Sequence, residues 1–207
     1  FYFKTRVPLL PDTDTELIVD RTELRRALRL AQQPSVTQYL AVLSPRQAGK
    51  TTFLFRLMRL LQDFYACVFV DLSVLRAQDA RACFRFVAFR LVSELRGLLA
   101  GTALAAEMPQ IESSVEFLEF LRNLADALAL PRIIIALDEV GALAPEVSDS
   151  FFNTLRTVFT QGRGLNGSLS KYLFVFSGAV DLYGLTFGTN SPLNICEKLY
   201  LSDFSLS

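Results

Sequence analysis

The 207-residue chain contains no histidine, and its three cysteines, Cys67, Cys83 and Cys196, stand far apart with no Cys-x-x-Cys pair. Those absences exclude histidine-based acid–base catalysis and structural zinc. An odd number of scattered cysteines fits reduced thiols in a cytoplasm better than a disulfide framework. Net charge is lacking too, because 21 Lys and Arg balance 21 Asp and Glu. Without a basic excess the chain lacks the electrostatic footprint of a dominant nucleic-acid contact. The cluster Arg21, Arg25, Arg26 and Arg29 reads most simply as a solvated helix face. No apolar run is long enough to span a bilayer, since Arg85, Arg90, Glu94 and Arg96 interrupt the longest one. There is no signal or transit pattern, internal repeat or low-complexity tract. A cytoplasmic location is expected, with neither membrane nor nucleic acid as partner of this segment. The abrupt opening at Phe1 suggests a part excised from a longer protein.

What is present is apolar. Hydrophobic residues make up 51% of the sequence, phenylalanine alone occurs 18 times, and the mean hydropathy is +0.33. A chain of this length and composition folds around one substantial core. The phenylalanine excess has two readings: filler between long buried helices, or apolar surface covered by a missing partner segment.

The most informative stretch runs from Leu40 to Thr52, where an apolar strand enters the loop Ser44-Pro45-Arg46-Gln47-Ala48-Gly49-Lys50-Thr51-Thr52 and then a helix. In such a loop successive backbone N–H groups and the helix N-terminus face phosphate oxygens. Lys50 reaches the β- and γ-phosphates, and Thr51 coordinates Mg²⁺. The departure is Ser44, where the pattern carries glycine, and it puts the loop's path in question more than its chemistry. A second apolar run, Ile133 to Leu137, ends in Asp138-Glu139 and resembles a Walker B strand. A strand buried on both faces needs no alternation, and ligands of open α/β sheets bind at the C-terminal strand ends. Asp138 would hold Mg²⁺ through water, and Glu139 would orient and deprotonate an attacking water.

Around these motifs strands and helices alternate. Residues 1–19 read as an extended arm punctuated by Pro8 and Pro11. Asp20 and Glu23 form a capping-box pattern that opens a helix to about Gln32. Strands are expected at 39–43, 66–72, 133–137, 172–177 and 198–201, with helices at 51–64, 79–99, from Ser113 to Leu128, and at 150–161. A polar, glycine-containing loop is expected at 162–170. The pattern implies an α/β fold: a P-loop NTPase three-layer α/β/α sandwich with a central, mostly parallel sheet. Residues 1–35 would be an arm and helix packed on the core, and 36–207 the core itself. The long separation of Lys50 from Asp138 suits the branch with an extra strand between the two motif strands. No guanine-reading Asn-Lys-x-Asp motif occurs, so adenine is the better expectation.

Taken together, Val19-Asp20-Arg21, Arg46 to Thr51, Leu137-Asp138-Glu139 and the terminal Asn194-Ile195-x3-Leu199-x-Leu201-x-Asp203-Phe204 resemble the AAA-like ATPase domain family over nearly the whole chain. The resemblance implies an ATP-binding, ATP-hydrolysing switch that uses Mg²⁺ and couples nucleotide state to attached repeat or effector domains in signalling or defence, with homo-oligomers possible. It places phosphate binding at Arg46 to Thr52, and magnesium and water handling at Asp138 and Glu139. Ser177 takes the position of a γ-phosphate sensor, or else is a hydroxyl satisfied locally at a strand end. Arg156 and Arg163 are arginine-finger positions, or else surface arginines. Asp20 and Arg21 could frame the adenine, though capping already accounts for Asp20. No arginine sensor from a C-terminal helical lid can be assigned, so the lid is expected to be absent or outside this segment. Two other functions remain open: a DNA-associated ATPase of the origin-recognition or transposition-helper type, and a scaffold stabilised by nucleotide with negligible turnover.

Overall fold

A computed structural model describes residues 22–45, 48–106, 109–165, 167–179 and 192–201. The arm, Asp20, Arg21, Arg46, Gln47, Asp203 and Phe204 lie outside the described residues. Five strands, β1 (Tyr39–Ser44), β2 (Ala66–Asp71), β3 (Ile133–Asp138), β4 (Tyr172–Ala179) and β5 (Cys196–Tyr200), form one sheet in the order β2-β3-β4-β1-β5. Every pairing is parallel. β1 and β3 are buried at every residue, which is why both read as unbroken apolar runs. A strand does separate the two motif strands, and it is β4. The strand that lies between them in sequence, β2, sits outside β3 at the sheet edge.

Helices α1 (Thr22–Ala31) and α2 (Lys50–Leu61) pack against each other and cover one face of the sheet. On the other face α3 (Ala80–Glu94), α5 (Ser114–Ala127) and α6 (Pro145–Leu165) pack together. A short helix, α4 (Ala103–Ala106), precedes α5. This is the layering that right-handed parallel crossovers dictate. Ring contacts dominate the α6 face. The Tyr39 ring meets Phe159 edge-on at 4.9 Å and Phe174 at 5.2 Å, and Phe84, Phe117, Phe151 and Phe152 continue the cluster. Phe152 also meets Phe176 at 5.3 Å. Among the described residues phenylalanine serves mainly as core filler, the first of its two readings.

Some helix limits differ from expectation. The 79–99 helix is capped at its start by the Asp79 carboxylate, which accepts from Ala82 N–H, but as an α-helix it ends at Glu94 and continues as turns toward Gly101. α6 begins at Pro145, earlier than the expected 150, because a proline at the first helical position loses no hydrogen bond. It also runs past Gly162 into the expected loop. A Cβ at Gly162 would lie 2.9 Å from the Leu169 and Ser170 backbone, so glycine lets the next turn close against the helix. Burial pushes the Cys67 and Cys83 thiols up to about 12 and raises that of Cys196, which disfavours the thiolate form of each. Among the described residues no helix is long and apolar enough to cross a membrane.

Candidate functional site

The C-terminal ends of β1, β4 and β3 lie side by side, and register decides which side chains meet there. Val42 pairs with Ser177 and Leu137 with Phe176, so Ser177 and Asp138 stand level on one face. Even-numbered β4 residues face α6, as the Phe152–Phe176 contact shows. Ser177, Asp138, Val42 and Ser44 therefore face the α2 layer.

The chain leaves β1 through Ser44 and Pro45 and enters α2 at Lys50. Gly49 precedes the helix at φ 78°, ψ 26°, a left-handed conformation costly to a residue with a Cβ, and no side chain caps the helix there. The opening N–H groups of α2 have no acceptor within the helix, and the positive end of its dipole faces the loop. Lys50 is only 7% exposed, and its Nζ donates to the Pro45 carbonyl at 3.1 Å. The buried Ser44 hydroxyl donates to the same carbonyl at 3.0 Å. Thr51 Oγ1 donates to Asp138 Oδ2 at 2.6 Å, which ties the loop helix directly to the end of β3. Asp138 is 3% exposed, and its other oxygen accepts from Glu139 N–H at 3.0 Å.

Glu139 itself is exposed and sits at φ 53°, ψ 43°, ahead of the 3-10 turn Val140–Ala142. A left-handed conformation for a glutamate stores roughly 1–2 kcal/mol of strain, and such outliers collect at functional sites. The strain holds a carboxylate in solvent immediately beside a buried, fully engaged one. Ser177 is completely buried, and its hydroxyl has no hydrogen-bond partner among the described residues. Local satisfaction at the strand end, the alternative reading of Ser177, is therefore not what is found.

The structure thus brings together Ser44, Pro45, Lys50, Thr51, Asp138, Glu139 and Ser177, with Ala48, Gly49 and Thr52 in the same loop and helix turn. It does not bring Arg156 or Arg163 to them. Because all strands run the same way, α6 leaves the C-terminal end of β3 and returns to the N-terminal end of β4. Its 21 residues span about 30 Å. Arg163 consequently sits at the opposite end of the sheet, with its guanidinium 5.4 Å from the Phe159 ring centre, on the wall of a cavity of about 200 Å³. Arg156 lies half-buried midway along α6. Neither can serve this chain's own site. The double use of the Pro45 carbonyl is absent from the motif pattern, which marks Ser44 only as a missing glycine.

An all-parallel five-stranded sheet of this order, with helices on both faces, matches the fold of P-loop NTPases. Solved structures share it. The Walker-type ATPase PABY2304 of Pyrococcus abyssi superposes with a TM-score of 0.62 at 18% identity, over 92% of this chain and 55% of that one. The ORC2 protein of Aeropyrum pernix, solved as ADPNP–ADP complexes, gives 0.59 at 12%, over 96% and 50%. AMPPCP-bound DnaA from Aquifex aeolicus gives 0.50 at 14%, over 94% and 51%. The chain thus spans about half the length of these proteins, and at such identities the likeness is one of fold. No family model and no curated protein sequence matches the chain.

Proposed function

We propose that this domain binds ATP and hydrolyses it slowly or on stimulation, as a switch that couples nucleotide state to attached or partner domains in signalling or defence. The observation that carries the reading is the 2.6 Å bond from Thr51 to Asp138, which joins the phosphate loop to the acidic strand end across the β4 position. The residues fit the nucleotide. Residues 44–52 offer a helix N-terminus with a buried lysine, and a fully buried hydroxyl without a partner among the described residues faces the same layer.

Lys50 would release the Pro45 carbonyl and place its charge on the β- and γ-phosphates. Glu139, free in solvent, would orient a water in line with the γ-phosphorus and accept its proton, while Ser177 would report the phosphate to β4. A Mg²⁺ ion, when bound, neutralises charge on the phosphates. Among the described residues no group of three or more acidic or thiol side chains is gathered to hold a metal, so Thr51 and Asp138 would hold it together with phosphate oxygens. Arg163, at the far pole, would act only on a neighbouring copy's site, and Arg156 has the same restriction.

A second reading, a DNA-associated ATPase, draws on the likeness to Drosophila ORC bound to poly(dA/dT) DNA, with a TM-score of 0.55 at 12% identity. DNA retention together with DNA-stimulated turnover would favour it.

The deciding experiment is a Mg²⁺-dependent ATP titration with single-turnover hydrolysis on the wild type, Lys50→Ala and Glu139→Gln. Lys50→Ala should abolish binding. Glu139→Gln should bind normally and turn over about 100-fold more slowly. Unaltered affinity in Lys50→Ala would sink the cradle assignment. Normal turnover in Glu139→Gln would remove Glu139 from the mechanism. Binding without turnover in the wild type as well as in Glu139→Gln would favour the scaffold.

A further inference from the structure

A cavity of about 200 Å³ opens at the N-terminal end of the sheet, at the pole opposite the loop of residues 44–52. Its floor is apolar and mostly aromatic: Tyr39 and Tyr172, which begin β1 and β4, with Phe159 and Leu169, all buried. Both tyrosine hydroxyls are already bonded to the Leu155 and Leu121 carbonyls, so they present rings and not donors. The rim is polar and exposed. There the Arg163 guanidinium lies 5.4 Å from the centre of the Phe159 ring, in no ion pair or hydrogen bond among the described residues. The hydroxyls of Ser35 and Ser170, on the same rim, also lack a partner among the described residues. Among those residues no acidic side chain lines the cavity.

We propose that this cavity is a second ligand site, for a small aromatic carboxylate, with its ring on the aromatic floor and its carboxylate on Arg163. Size sets the class of ligand. A cavity of roughly 150 Å³ accommodates benzene, so this one has room for one ring and one small charged group. The ring exchanges water for aromatic contact, and the rim hydroxyls offer further donors. The guanidinium, already held over Phe159, has free N–H groups whose fork matches a carboxylate. Charge limits the ligand to a monoanion. The last turn of α6 brings the negative end of its dipole, roughly half an elementary charge, to the same pole. What remains of the arginine's positive charge suits a single carboxylate and not a phosphate or a polyanion. The site is independent of the phosphate loop, although a filled cavity would keep Arg163 from a neighbouring copy.

The test is an NMR line-broadening titration of sodium benzoate against the whole chain at fixed ionic strength. Benzyl alcohol, which keeps the ring without the charge, and acetate, which keeps the charge without the ring, are titrated alongside. Benzoate should bind with a Kd of about 0.1–1 mM, and both fragments at least about tenfold more weakly. Arg163→Met, shown to be folded by its thermal transition, should weaken benzoate about tenfold, while Lys50→Ala should leave it unchanged. No binding of benzoate by the folded wild type at 10 times the upper Kd, about 10 mM, overturns the proposal. So does benzyl alcohol or acetate binding as tightly as benzoate, since ring and charge would then not act together. Benzoate affinity that survives Arg163→Met, or is lost in Lys50→Ala, overturns it as well, because the anion would then sit elsewhere.

Discussion

The two ends of the sheet treat buried polar groups in opposite ways. At the N-terminal end, charges and hydroxyls are spent on structure. Arg132 donates to the carbonyls of Ala31 and Pro34, and Lys171 reaches those of Ala125 and Leu128 at 2.8 Å. Tyr172 donates to Leu121 at 2.6 Å and Tyr39 to Leu155. Arg132 and Lys171 close the C-terminal turns of α1 and α5, whose last carbonyls have no partner within the helix and carry the negative end of the dipole, while the two tyrosines bond carbonyls inside α5 and α6. At the C-terminal end the order is less settled. A lysine is docked on a shared carbonyl, a glutamate sits in a strained conformation, and Ser177 is buried with nothing to bond among the described residues. The contrast is not complete, since Arg132 Nε is also buried without a partner. Even so, the buried groups of one end are arranged for stability, and those of the other are left available to something else.

The comparison predicts that substitutions away from the site cost stability and leave the intrinsic affinity of the folded fraction alone. The largest effect is expected in the aromatic core between the helices of the α6 face, where Phe151 is fully buried against Phe84, Phe117 and Phe152. Phe151→Ala should destabilise by about 3–5 kcal/mol, the transfer loss plus the cavity left behind, measured by denaturant unfolding. A loss below about 1 kcal/mol would mean that this face is not tightly packed.

A smaller loss is expected at the N-terminal end itself. Burial lowers the pKa of Arg132, opposed in part by Tyr65, whose ring lies 6.0 Å from the guanidinium. That cost is offset by bonds to two carbonyls that otherwise lack a side-chain donor. Arg132→Met keeps the volume of the stem but strands both acceptors, and should cost about 1–3 kcal/mol with nucleotide affinity unchanged. If instead it weakened ATP binding without loss of stability, the division between the two ends would fail.

How much of this was legible in the sequence follows the same division. β1 and β3 announce themselves because strands buried on both faces need no alternation, and the loop from Ser44 to Thr52 is a local pattern that carries its chemistry with it. What could not be read depends on contacts distant along the chain. That β4 and not β2 fills the gap between the motif strands is a matter of strand order. The true length of α6 hangs on Gly162, whose glycines favour a loop until the backbone of Leu169 and Ser170 is seen packed against the helix. The positive φ of Glu139 and the shared carbonyl of Pro45 belong to a folded loop, and no residue type signals them in advance. Ser177 was expected to end its strand, but β4 runs on to Ala179, and only burial shows that its hydroxyl has no partner among the described residues.

Ser177 offers the finest test, because the two ends there predict opposite signs. A buried hydroxyl with a good partner loses stability when deleted, as at Tyr172 or Tyr39. One without a partner carries its desolvation cost with no bond in return. Ser177→Ala removes a single oxygen from a strand interior, creates almost no cavity, and should raise stability by about 1 kcal/mol, or roughly 2–4 °C in Tm for a chain of this length. If the hydroxyl waits for a γ-phosphate, the nucleotide should reverse that gain. The variant would then be more stable than the wild type in buffer and gain less on addition of MgATP, with the discrimination between ATP and ADP reduced. A drop in stability without nucleotide would show that Ser177 has a partner in the fold after all, and the contrast between the two ends would narrow to Lys50 and Glu139.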